Sequence, residues 1–228
     1  MSNNGNSWRT QPMYTFGEAS QLAGVSPQTV RNWLFGYTVK ERQASPLFKA
    51  PPDQTTFCSF LQLIEIIVAA QFRKVSHTSF LVVKRAYDNA QNEWGVNYPF
   101  AHLKLKAMGG HIVNMISESP SFQAVDELHQ WTIPGLIQQT IDQLEYESEL
   151  AAKWYPVGKT IPIVVDPRIS AGLPTIVGRG VTVEAIDKRF SSGQKWDFIA
   201  QDYELTEDTV QEVLRYSRKI LCREKVTA

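Results

Sequence analysis

The chain reads as an α+β protein, mainly helical, and three observations carry that reading. Two capped amphipathic segments separated by a glycine stand near the start, and apolar residues recur at helical spacing over much of the chain. The β-type stretches are short and bounded by Pro and Gly. With 228 residues, 43% of them hydrophobic, the chain is long enough to bury a core and to form two or three small units.

The first informative stretch is Tyr14 to Tyr37. Thr15 followed three residues later by Glu18 has the form of a capping box, which starts a helix at Phe16 with two orphan amides satisfied. Ala19, Leu22 and Ala23 share one face, and Gly24 suits the left-handed residue that ends the helix. Ser26-Pro27 then supplies a side-chain cap and a proline at the first helical position, where its missing N–H costs nothing. In the second helix Val30 and Leu34 pack back on the first, while Gln28, Thr29, Arg31 and Asn32 face outward. This is a helix-turn-helix with a polar edge. Arg and Asn or Gln bond bidentately to guanine and adenine, and the amino end of the second helix is what enters the major groove. Such helix pairs also occur in proteins that never meet DNA, so the segments beyond Tyr37 have to decide.

Thr38 to Gln54 is rich in Pro and basic residues and is expected to form a hairpin, or wing, turning at Pro51-Pro52-Asp53-Gln54. Arg42 and Lys49 on it are expected to reach phosphates beside the groove, and Leu47, Phe48 and Phe57 to anchor it to the helices. Ser59 opens an apolar helix to about Lys74, with Leu61, Ile64, Ile67 and Val68 as a broad buried stripe. A further helix, Ser79 to Trp94, carries Lys84 and Arg85 on its polar face.

This order of capped helix-turn-helix, wing and apolar helix resembles the winged DNA-binding head of MerR-type regulators. The matching features are Tyr14-Thr15, Glu18-Ala19, Gly24-Val25-Ser26, Thr29, Arg31 and the aromatic-rich Phe57 to Leu61. The resemblance implies a winged helix-turn-helix domain over residues 1–98 in which Gln28, Thr29 and Arg31 contact operator DNA. With the cap and the wing, the expected DNA-binding set is Ser26, Gln28, Thr29, Arg31, Asn32, Arg42 and Lys49. Where MerR-type heads usually carry two tyrosines after the arginine, this chain has Asn32-Trp33, so contacts made by those tyrosines do not transfer. No long dimerisation helix or metal-sensing cysteine pair follows.

Residues 99–160 form a linking segment. Alternation of His102, Lys104 and Lys106 with Leu103, Leu105 and Ala107, then Gly109-Gly110 and Ile112, Val113 and Met115, predicts a hairpin. Pro134 to Tyr146 predicts a helix with Leu136, Ile137, Ile141 and Leu144 on one side, and Leu150 to Val165 an extended stretch.

Residues 161–228 form the last unit. A strand through Val165 ends at Asp166-Pro167, Ile176-Val177 is a short partner strand, and three helices follow. They span about Val183 to Phe190, Trp196 to Tyr203, and Glu207 to Tyr216 with Thr206 as cap. Ile186, Phe190, Phe198, Ile199, Leu205, Val210, Val213 and Leu214 are their expected core. The pattern Asp166-Pro167, Gly172, Pro174, Ile176, Gly178, with Ala200, Tyr203 and Tyr216 in the helices, closely resembles a small domain family of VapB-type antitoxins. It departs at Gly178-Arg179-Gly180, where that family more often has Gly-Thr-Arg. A MerR-like head joined to this domain resembles the larger, two-domain VapB antitoxins.

The formal charge of zero hides an asymmetry. Met1 to Met115 holds 11 Lys+Arg against 6 Asp+Glu, net +5, and the remainder 12 against 17, net −5. From Val177 to Ser217 five basic residues face eight acids, net −3, and Glu207 and Asp208 stand at the amino end of the last helix. Phosphate contacts supply most non-specific DNA affinity, so the basic head, not this bundle, is assigned to DNA. The tail is basic again: Arg215, Arg218, Lys219, Arg223 and Lys225 against the single acid Glu224. In VapB systems the partner is a PIN-type ribonuclease with carboxylates holding Mg²⁺, and the resemblance implies that this tail fills that site. The same residues also offset the helix macrodipole, a role that needs no partner.

Enzyme chemistry is not expected. Gly158-Lys159-Thr160 lacks the earlier glycine of a phosphate-binding loop, since Lys153 stands there. The histidines His77, His102, His111 and His129 show no metal-ligand spacing, and Cys58 and Cys222 lie far apart. No cofactor or metal is expected. Neither a spanning segment nor a signal peptide is read, so a cytoplasmic location is expected. The expectation is therefore an antitoxin, a homodimer that represses its own operon and inhibits a PIN-type toxin. The alternatives are a stand-alone, ligand-responsive MerR-like regulator and a scaffold that binds only proteins.

Overall fold

The computed structural model describes residues 7–39, 42–48, 56–76, 80–106 and 135–221. The architecture is α+β, helices with four two-stranded antiparallel sheets among the described residues.

A short helix α1 (Ser7–Thr10) precedes strand β1 (Tyr14–Thr15), then α2 (Phe16–Ala23) and α3 (Pro27–Phe35). The caps form as the local sequence dictates. Thr15 Oγ1 accepts from the Glu18 N–H at 3.2 Å while Glu18 Oε2 accepts from the Thr15 N–H at 2.8 Å. Gly24 closes α2 at φ 66°, ψ 43°, and Ser26 caps α3.

The hairpin after α3 differs from expectation. Strands β2 (Tyr37–Val39) and β3 (Arg42–Ala44) pair with Val39 opposite Arg42, a tighter hairpin than the one expected, while the turn expected at residues 51–54 lies outside the described residues. Gly36 makes this possible. It leaves α3 at φ +75°, and a Cβ there would meet the Ala44 carbonyl oxygen at 2.3 Å. Leu47 and Phe48 return to α3, both donating to the Trp33 carbonyl at 2.8 and 3.1 Å, and both are buried. Phe57 is not an anchor: it belongs to β4 (Phe57–Cys58), which pairs with β1, and it is 41% exposed.

Helix α4 (Phe60–Ser76) is the centre of the first core. Ser59 and Gln62 cap it reciprocally at 3.3 and 2.9 Å. Every residue from Phe60 to Ala70 is buried, so the predicted stripe runs all the way round. Its own Phe72 joins Phe48, Tyr87 and Phe100 in an aromatic cluster with ring centroids 5.2 to 6.5 Å apart. Tyr87 comes from α5 (Phe80–Trp94).

The linking segment also departs from expectation. Pro99–Ala101 is a 3-10 turn and residues 104–106 are helical, so the predicted strand is absent there; residues 107–134 lie outside the described residues. Helix α6 (Gly135–Asp142) stops short of Tyr146, and β5 (Leu144–Glu147) pairs with β6 (Leu150–Trp154). The two-residue turn is made by Ser148 and Glu149 at φ 50° and 67°. Leu144 is buried as predicted, though from a strand, because pairing with Trp154 overrides the helical period. Ala151, Trp154 and Val165 join the first core.

A second core holds the rest. Strands β7 (Ile163–Val164) and β8 (Thr175–Ile176) pair, and α7 (Val183–Ser191), α8 (Trp196–Asp202) and α9 (Glu207–Leu221) pack over Ile163, Ile186, Ile199, Val210 and Val213. Phe198, expected in this core, is 60% exposed: α8 is seven residues long and turns Ile199 and Ala200 inward. Helix α9 runs five residues past Tyr216, to Leu221.

Candidate functional site

The expected DNA edge is assembled by the capping geometry. Val30, Trp33 and Leu34 bury one face of α3, which leaves Gln28 and Arg31 exposed and Thr29 and Asn32 half-buried. Gln28 Nε2 donates to Asn32 Oδ1 at 2.7 Å, so these two amides hold each other across one turn. Ser26 Oγ accepts from the Thr29 N–H at 3.1 Å and lies 2.9 Å from Thr29 Oγ1. Both hydroxyls are therefore engaged in the cap. No acid stands in the first turn of α3, so the positive end of its dipole is unopposed there. Arg42 lies in β3, with its side chain outside the described residues, as is Lys49.

Sequence reasoning did not single out Arg73, at the end of α4. It is exposed, and its guanidinium lies 5.9 Å from the centroid of the Trp33 ring. It lends the back of α3 a positive charge, and nothing in the local sequence joins these two positions.

The basic residues of the last helix are only partly available. Arg215 pairs with Glu212, Arg218 lies 5.7 Å from the centroid of the Phe190 ring, and Lys219 is exposed. Arg223 and Lys225 fall outside the described residues. At the other end of α9, Glu207 and Asp208 are exposed in the first turn.

The titratable groups buried inside play no part in either surface. Glu65, fully buried on α4, has its carboxyl raised well above the ordinary range by desolvation, with the Tyr87 hydroxyl 3.4 Å away. Burial also pushes the Cys58 thiol up to about 12, which leaves it unreactive. His102, buried, accepts from the Lys104 N–H on Nδ1 at 3.1 Å, and desolvation lowers its pKa. Among the described residues no three His, Cys, Asp or Glu side chains come together to hold a metal. Nor, among them, is any helix long and apolar enough to cross a membrane.

Comparison with known proteins gives first a match over part of the chain. Residues 163–217, the span of the second core, match the family described as a protein of unknown function, DUF433. Two proteins of Mycobacterium tuberculosis (strain ATCC 25618 / H37Rv) are similar over nearly the whole chain. The uncharacterized protein Rv2308 is 23% identical over 219 residues, covering 91% of this chain and 90% of its own. The other, named "Putative antitoxin VapB45", is 22% identical over 223 residues, covering 89% and 92%. The crystal structure of Rv2018 from Mycobacterium tuberculosis shares the fold: the TM-score is 0.72 at 22% identity, over 90% of this chain and 98% of that one.

Proposed function

We propose that this protein is an antitoxin of a type II toxin-antitoxin system. Its winged helix-turn-helix head binds operator DNA and represses its own operon, and its C-terminal part binds and inhibits a PIN-type ribonuclease. The protein acts as a homodimer, because one short recognition helix gives little affinity and two half-sites multiply it.

The observation that carries the DNA half is α3 itself: a capped helix whose buried face is Val30, Trp33 and Leu34, with Arg31 and the paired Gln28 and Asn32 turned outward on a net basic half of the chain. The similarity to the protein named as an antitoxin, which extends over both cores, supports the toxin half. The tail residues Arg215, Arg218, Lys219, Arg223 and Lys225 are the proposed toxin contacts.

Co-expression with the product of the neighbouring open reading frame, followed by pull-down and a ribonuclease assay, tests this reading. A stable complex with suppressed ribonuclease activity is the expected result. No complex, together with salt-dependent DNA binding by the protein alone, would favour the stand-alone regulator. The linking segment, where a sensor site would stand, offers such a regulator only a shallow, open depression beside Gln138, Asp142 and Lys159. A change of operator affinity on adding a small molecule would decide for it.

A further inference from the structure

The loop of residues 166–174, which joins β7 to β8, touches the head at two places. Asp166, 3% exposed, holds the Arg168 guanidinium in a fork, with Nε to Oδ1 and Nη2 to Oδ2 both 2.9 Å. So held, Arg168 lies 4.6 Å from the centroid of the Trp8 ring and donates to Glu147 at 3.1 Å. Arg9 lies 4.3 Å from the same ring centroid and donates to the Glu147 carbonyl at 3.0 Å. The second place is the buried hydrogen bond from the Tyr14 hydroxyl to the Gly172 carbonyl, 3.1 Å.

Three consecutive residues of this loop stand in the left-handed region: Ser170 at φ 46°, Ala171 at 52° and Gly172 at 74°. Side chains at the first two disfavour that backbone, so contacts elsewhere must hold it. At Gly172 a Cβ would sit 2.2 Å from the Tyr14 hydroxyl oxygen and 2.7 Å from the Met13 sulfur. Tyr14 is next to Thr15, the cap of α2, and α2 also touches α9 of the second core. The strained loop therefore bears on the residue that sets the start of the helix-turn-helix. None of these groups belongs to the α3 edge or to the basic tail.

We propose that the loop of residues 166–172 is a latch. Tyr14 and the Trp8–Arg168 stack hold the C-terminal unit against the start of α2, and opening the latch loosens the set of α2 and α3 and lowers operator affinity. A packed contact that holds a strained segment has two arrangements rather than a continuum, which is what a switch requires. The latch makes Tyr14 and Gly172 positioning residues for α3. Its operator half rests on the function proposed above; its mechanical half does not.

Hydrogen exchange of the full chain, run beside operator binding, tests it. Tyr14→Phe removes only the hydroxyl and Gly172→Ala forces the loop away. Exchange should quicken about two- to tenfold in Tyr14→Phe, the factor one hydrogen bond carries, both at residues 166–174 and at residues 16–23, with α8 unchanged. Gly172→Ala should exceed this, and operator affinity should fall in the same order. Faster exchange in the loop with none in α2 would refute the coupling, and Tyr14→Phe alone decides this if Gly172→Ala does not fold. Coupled exchange with no operator binding by the wild type would support the latch and overturn only its operator half.

Discussion

Arg31→Ala separates recognition from folding more cleanly than any other change in the head. The side chain is exposed on α3, whose buried contacts come from Val30, Trp33 and Leu34. Alanine is the best helix former, so the variant should fold with a stability change within about 0.5 kcal/mol. Operator binding should respond quite differently. A bidentate contact to guanine contributes about 1–3 kcal/mol of discrimination, which at about 1.4 kcal/mol per tenfold is a loss of roughly 5- to 150-fold. A phosphate contact would instead weaken every sequence alike and reduce the slope of log affinity against log salt by about one. Fluorescence anisotropy with labelled operator and a scrambled duplex, each titrated at several salt concentrations, distinguishes the two. Unchanged affinity for both duplexes, with an unchanged circular dichroism spectrum, would refute the placement of DNA on α3.

Other expectations come from buried charge and from the C-terminal unit. Desolvation holds the Glu65 carboxyl well above its ordinary range in the folded state, whereas the unfolded chain ionises near 4.5. Above that pH the folded state binds more protons, so the residue's contribution makes stability fall as pH rises, by about 1.4 kcal/mol per unit until the folded group ionises. Glu65→Gln should abolish that part of the slope in urea denaturation from about pH 5 to about pH 7; wild-type and variant stabilities that run parallel would contradict the assignment. Truncation after Leu221 removes Arg223 and Lys225 while leaving α9 whole, and should weaken toxin inhibition in a ribonuclease assay with operator binding intact. Equal inhibition would return the tail to its role at the helix end. The fragment of residues 161–228, which contains the second core except for the flanking Val157, should be soluble and fail to shift operator DNA. A shift would overturn the electrostatic assignment.

The parts of the fold that were legible in the sequence are those decided within one turn of chain. Thr15 with Glu18, Gly24, Ser26-Pro27 and Ser59 fix helix ends through groups three or four residues apart, and each stands where the spacing puts it. The α+β class was legible for the same reason. What the sequence hid was decided by distant partners. Phe57 pairs with Thr15 across the first helices, and Leu144 leaves a continuing helical period to pair with Trp154. Ser148, Glu149, Ser170 and Ala171 adopt positive φ without the glycine that signals it. Trp8 sits in a polar opening segment, and nothing local connects it to Arg168, 160 residues on.

Two of the described helices, α3 and α9, follow a short turn in a helix-turn-helix arrangement, and their first turns differ. Helix α9 starts with Glu207 and Asp208, carboxylates that satisfy the positive end of its dipole and would repel phosphate. Its last turn carries Arg218 and Lys219, which satisfy the other end. That helix is electrically complete in isolation. Helix α3 has no acid in its first turn and no base in its last, and the groups beside its amino end are the neutral amides of Gln28 and Asn32 and the Arg31 guanidinium. Its dipole is left unopposed on the basic half of the chain, where a phosphate can complete it. The charge at α9 therefore has an explanation within the fold, whereas α3 leaves room at its amino end for the anion that the proposed function would bring there. For the partner surface the consequence is specific. Arg218 and Lys219 in the last turn of α9 already serve the helix, so their removal confounds toxin binding with helix stability, and truncation after Leu221, which takes away Arg223 and Lys225 alone of the proposed contacts, is the cleaner test.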